Sequence, residues 1–123
     1  NGARLIGVNS ASVSADDLVL LGQGLNASVN GILFMGNNQI PPAFLDNGLI
    51  GVSGSIRRFP VQNSSTLGSF SSGPGLVSYV NATWGAGTIA AGVTKHFQIW
   101  YRDSAGPCGF GANLTNAVSI TFQ

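Results

Sequence analysis

His96 is the only histidine in the chain, and the carboxylates are Asp16, Asp17, Asp46 and Asp103, with no glutamate. A nucleophilic triad needs a base held by an orienting carboxylate beside the nucleophile. Fourteen serines could supply the nucleophile, but none sits in a G-x-S-x-G elbow. His96 lies in the run TKHFQIWYR, residues 94–102. Strand alternation puts His96, Gln98, Trp100 and Arg102 on one face and Lys95, Phe97, Ile99 and Tyr101 on the other. His96 therefore reads as a sheet-face residue with a hydrogen-bonding partner. Asp16 and Asp17, as neighbours in a strand, would point to opposite faces and could not work as a paired-carboxylate glycosidase. One histidine and one cysteine, Cys108, fall short of a zinc set, and no D-x-D-x-D-G run marks a calcium loop. The Gly-rich pieces GPCGFG and GVSGS lack the strand-to-helix setting and lysine of a phosphate loop. The expectation is no enzyme, no cofactor and no metal.

Two other residue groups could bind or be modified. Tyr79, Trp84, Trp100 and Tyr101 could form a stacking platform for sugar rings, although aromatics of a small domain more often fill its core. Four Asn-x-Ser/Thr sequons, at Asn26, Asn63, Asn81 and Asn113, are candidate glycosylation sites. Asn63 and Asn113 fit exposed turns best.

Composition narrows the class. Only 7% of the 123 residues are charged, the net charge is +1, and Gly, Ser, Asn and Thr number 18, 14, 11 and 6. Such a mix disfavours long helices. Five dispersed cations, with only Arg57 and Arg58 adjacent, cannot release many counterions from a phosphate backbone, which argues against nucleic acid. No apolar run reaches the roughly 20 residues of a membrane span. The first residue is Asn1 rather than Met, which is expected of an exported chain after loss of a leader, or of a piece of something longer. An extracellular location fits the low-charge, Asn/Ser/Thr-rich surface.

The elements that must position these residues read as short strands near 3–8, 17–25, 31–35, 49–53, 55–61, 67–71, 76–84, 94–102 and 117–122. Turns are marked at Asn30-Gly31, Gly36-Asn37-Asn38, Pro41-Pro42, Asp46-Asn47-Gly48, Gly73-Pro74-Gly75, Gly85-Ala86-Gly87 and Gly106-Pro107. Only 14–21 could turn helically, capped by Ser14 or Asp16. The pattern predicts an all-β fold: one domain over residues 1–123, a single antiparallel β-sandwich, jelly-roll or immunoglobulin-like, of about eight or nine strands. The last thirty residues read as its closing hairpin, with Phe97, Ile99, Tyr101, Val118, Ile120 and Phe122 inward and Arg102-Asp103 as a local ion pair.

The stretch KHFQIWYRDSAGPCGFGANLTNAVSITF resembles the C-terminal signature of β-sandwich modules in secreted planctomycete-type bacterial proteins, an aromatic strand with W-Y-R-D-x-A-G, then N-L-T/S and V-T-F. Trp100 to Asp103, Ala105-Gly106, Asn113 to Thr115 and Ile120 to Phe122 carry it, and GILFMGNNQI and NGLIGVSGSIRRFPV extend it over roughly residues 18–123. Ser104 replaces the usual proline, and Gly51 stands where members often have a cysteine. If Cys108 normally pairs with that residue it lacks the partner here, leaving it buried, free or bridged to another subunit. The resemblance implies an extracellular β-sandwich of unassigned function.

Together these readings lead to an expected structural subunit that associates with copies of itself in a filament, sheath or surface layer. Ala3, Arg4, Leu5, Ile6, Gly7 and Val8 form the strand expected to pair with an edge of the next subunit. The alternative is a non-catalytic carbohydrate-binding or adhesion module using the four aromatics on surface glycans.

Overall fold

The computed structural model describes residues 3–45, 48–103 and 111–123. Asn1, Asp46 and the segment with Gly106-Pro107 and Cys108 lie outside them, so the readings that fall there are not addressed. The chain is all-β and sandwich-like, with antiparallel sheets and one short helix. Among the described residues no helix is long and apolar enough to cross a membrane.

β9 (Thr94–Asp103) organises the molecule. One face carries Phe97, Ile99 and Tyr101, all buried, as alternation requires. Burying one such side chain contributes about 1.5–3 kcal/mol. β9 pairs with β3 (Asn30–Gly36), and β3 with the short strands β6 (Arg57–Arg58) and β7 (Gln62–Asn63). On its other edge β9 pairs first with β10 (Gly111–Leu114) and then with β11 (Val118–Thr121), which completes the expected closing hairpin. Val118 and Ile120 pack against the core and Phe122 is buried in it.

A second sheet, β1 (Arg4–Val8), β2 (Val19–Gln23) and β8 (Phe70–Ser72), faces this one. Leu5, Leu20 and Phe70 from it join Leu33, Met35, Phe97, Ile99 and Tyr101 in one core. The third layer is the hairpin of β4 (Asn38–Leu45) and β5 (Gly48–Ser53), which lies on the outer face of the larger sheet.

Besides the turn expected at Asn30-Gly31, whose residues both lie in β3, two larger expectations need correction. Residues 76–84 form a helix, α1 (Leu76–Trp84), not a strand. Leu76, Val77 and Val80 are its buried residues, a helical spacing that the alternating reading missed. The start is set from elsewhere. The Val77 and Ser78 amides donate to the Asp16 carboxylate at 2.8 and 3.0 Å, the Ser78 hydroxyl at 2.7 Å, and Gly75 N–H donates to the Asp16 carbonyl. Asp16 thus caps a helix 61 residues away, rather than a local turn at 14–21, where β2 already begins at Val19. The second correction is β4, which runs through the Pro41-Pro42 step expected to be a turn. Its register shifts between Gln39 and Ala43, as suits prolines on an edge strand.

The strand over 55–61 is reduced to Arg57–Arg58, and β10 was unforeseen. A Cβ at Gly36 would strike the Ser53 carbonyl and Val52, so glycine lets the β4–β5 hairpin root against β3.

Burial alone would raise the Asp16 pKa, but hydrogen bonds from Ser78 and Val77 hold it below the usual carboxylate value. The folded carboxyl therefore titrates below the unfolded one, and its contribution is complete above about pH 4 and lost as the pH falls through the lower folded value. Asp16→Ala is expected to cost about 1 kcal/mol in urea unfolding at neutral pH. That difference from the wild type should shrink on acidification below about pH 4.

Candidate functional site: an apolar hairpin and two flanking grooves

The β4–β5 hairpin is held by one side chain. Gln98 is buried on β9, on the face opposite Phe97 and Ile99. Its amide nitrogen donates to the Leu49 carbonyl at 2.7 Å and the Thr115 carbonyl at 2.6 Å, and its carbonyl accepts from Gly51 N–H at 3.1 Å. β5 thus meets the sheet through a glutamine instead of through a backbone ladder. Beneath it Phe34, Val52 and Leu114 make a small second core, packed by Ile50, Ile56, Trp100 and Ala117.

The far end of the hairpin stays in solvent. Phe44 is 87% exposed, Leu49 45% and Leu45 41%. A groove of about 650 Å³ runs between the hairpin and the 114–117 turn, with Ile40, Pro42, Phe44 and Ala117 in its walls. A smaller one of about 370 Å³ lies on the other side, over Phe34 and Trp100, with Arg58 lining it. The Arg102 guanidinium carbon sits 4.6 Å from the Trp100 ring centroid, within cation–π range.

Arg102 is therefore turned away from Asp103, contrary to the expected ion pair, because consecutive strand residues point to opposite faces. Asp103 instead accepts from the side-chain amides of Asn26, at 3.0 Å, and Asn113, at 3.1 Å. Both of these sequon asparagines are half-buried joints of the fold. Asn81 is another, donating to the Ile89 carbonyl and accepting from Ile89 N–H. Asn63 alone among the four is exposed, with its amide 3.2 Å from Asn30 Oδ1.

The sugar-stacking set is not assembled. Tyr101 is 3% exposed, in the main core, and burial pushes its phenol pKa up, opposed by a hydrogen bond with the Ala3 backbone and reinforced by Asp103. Tyr79 stacks on Phe59, Trp84 meets both rings edge to face, and Trp84 packs against that main core. Trp100 belongs to the opposite face of the large sheet.

The N-terminal strand is engaged within its own chain. All of β1 from Arg4 to Val8 pairs with β2, and Ala3 packs against the core. On the outer edge Asn116 grips Leu5, accepting from its N–H at 2.9 Å and donating to its carbonyl at 3.0 Å. Ile6 is half-buried, while Arg4 and Gly7 are exposed. The open edge expected over Ala3–Val8 is therefore closed at its buried residue.

His96 bonds Ser119, its cross-strand neighbour, through Nδ1 at 2.6 Å. Asp16, Asp17 and Asp103 have their partners at α1, at Ser10 and at Asn26 and Asn113. Among the described residues no three His, Cys, Asp or Glu side chains converge on one point.

Sequence reasoning missed Gln98, Phe44 and Leu49. A glutamine inside an apolar-aromatic run was the available signal for the first, and the two prolines masked the strand carrying the second. Gln98→Leu should leave the Gly51 N–H and the Leu49 and Thr115 carbonyls without this partner. At about 1–3 kcal/mol per unpaired buried group, a loss of at least 2 kcal/mol in chemical denaturation is expected, with faster amide exchange at Gly51.

No family model, no curated protein and no solved structure matches this chain.

Proposed function

We propose that this chain is a non-catalytic structural or adhesive module of the cell exterior, which self-associates through the β4–β5 hairpin. One observation carries the reading: three large apolar side chains, Phe44, Leu45 and Leu49, are held in solvent at the end of a hairpin whose root is rigidly anchored. Apolar side chains clustered in solvent are a mark of interaction surfaces, and aromatic residues are enriched in them. The scarcity of charge over the whole chain lowers the desolvation cost of bringing copies together. A second copy is the occupant that chemistry of this kind accommodates.

The resemblance to exported planctomycete-type modules supports the same reading, as does the low-charge composition. Assembly into a filament, sheath or surface layer follows if the hairpin meets a different patch on the neighbour, since such head-to-tail contacts need not close. Strand exchange through Ala3–Val8 is the less favoured route, because β1 would first have to leave β2, Asn116 and the core position of Leu5. Of the four sequons, Asn63 is the one proposed to carry a glycan, its amide being the most accessible.

Sedimentation of the wild type and of Phe44→Ser/Leu49→Ser tests the proposal. The double variant should weaken self-association at least about tenfold, the equivalent of 1.4 kcal/mol, with an unchanged unfolding midpoint. Undiminished association, or a wild type that stays monomeric at high concentration, would refute it. Mass spectrometry of the native protein should place any sugar increment on the peptide containing Asn63 and not on those containing Asn26, Asn81 or Asn113.

A further inference from the structure

The smaller groove has a chemistry of its own. Its lining takes in Phe34, Ile50, Ile56, Trp100 and, from the hairpin end, Leu45, and Arg58 is its charged residue. Arg58 stands opposite Phe34 in the β3–β6 register, so its side chain leaves the sheet on the groove side. Arg102 lies over Trp100 on that same face. Arg58 is thus the cation of this apolar depression, and Arg102 adds positive charge on the same face through its stack on Trp100. The carboxylate nearest in sequence, Asp103, projects through the other face to Asn26 and Asn113.

A volume of about 370 Å³ is within the range of small-molecule sites, roughly 300–1,000 Å³. A sugar would need several converging hydrogen-bonding groups, and this lining is aliphatic and aromatic apart from Arg58. A cation would meet the Arg58 guanidinium. What fits is a body without polar groups and one anionic head, because guanidinium pairs carboxylate in a planar fork while the chain displaces water from the floor.

We propose that the groove over Trp100 binds a single-chain amphiphilic anion, a fatty-acid-like carboxylate, with its head on Arg58 and its chain along Phe34, Ile50 and Ile56. This site goes beyond the self-association reading and is examined at protein concentrations where the chain is monomeric.

The chain has two tryptophans, so an NMR titration with monomeric sodium dodecanoate reads the groove through the Trp100 indole N–H and carries an internal control in Trp84, which ends α1 and packs on the main core. Saturable movement of the Trp100 resonance with Trp84 unmoved is expected. Arg58→Gln/Arg102→Gln alters two exposed side chains and should weaken binding about tenfold or more without changing the fold. Dodecyltrimethylammonium should not bind. The proposal is overturned if Trp100 does not respond, if both indoles move together, or if the cationic amphiphile binds as well as the anionic one. It is also overturned if the double arginine variant binds dodecanoate normally. Co-sedimentation with phosphatidylglycerol vesicles and no response to dodecanoate would assign the surface to a bilayer instead, and equally sink it.

Discussion

The side-chain amide of Gln98 is the interaction on which the outer half of the molecule depends. It stands in the middle of β9, where the strand has a hydrophobic core on one side and nothing but the β4–β5 hairpin on the other. Three backbone groups from β5 and from the turn after β10 converge on it. A buried amide whose two N–H groups and carbonyl all have partners is stable, whereas the same amide with one partner missing costs more than an apolar side chain would. The arrangement is therefore all-or-none: while the three bonds hold, the hairpin is fixed, its apolar end is presented in one place, and a groove opens on each side of it.

The same device recurs wherever two layers must be joined. Asn116 stands in for a missing strand on the edge of β1, Asp16 caps α1 from a distant loop, and Asp103 ties Asn26 to Asn113. Each is a short polar side chain substituting for backbone. This gives the unusual composition a physical meaning. With 7% charged residues the chain has few ion pairs to spend, and it makes its long-range connections with amides and hydroxyls. The four sequon asparagines are not alike in this: Asn26, Asn81 and Asn113 are half-buried joints, whereas the bond from the Asn63 amide to Asn30 is exposed.

Function is read from what these joints leave in solvent. The inner faces of both sheets are consumed by one core, and the outer edge of β1 is held at Leu5 by Asn116. The outer face of the large sheet carries an anchored apolar hairpin and, beside it, a groove where aliphatic and aromatic walls meet the Arg58 guanidinium. Neither brings a nucleophile, base and carboxylate together.

Period-two alternation and dense turn residues were enough to establish the all-β class, the long strand 94–102 with its inward Phe97, Ile99 and Tyr101, and the return through Val118, Ile120 and Phe122. Those features are local, because a pleated strand sorts its own side chains to two faces whatever it packs against. The helix at 76–84 was not legible in that way, since its first turn is completed by Asp16 from 61 residues upstream. Nor was β4, whose prolines forbid a central strand and permit an edge. Tyr101 and Trp100 are adjacent aromatics of similar type, and only the stacking of the second sheet against one face and of the hairpin against the other made the first a core residue and the second the floor of a groove. The sequence by itself determined which residues share a face. Which face became buried, and which was left open to solvent, was decided by tertiary contacts between segments far apart in the chain, because burial is a property of the layers that meet and not of the strand that supplies them.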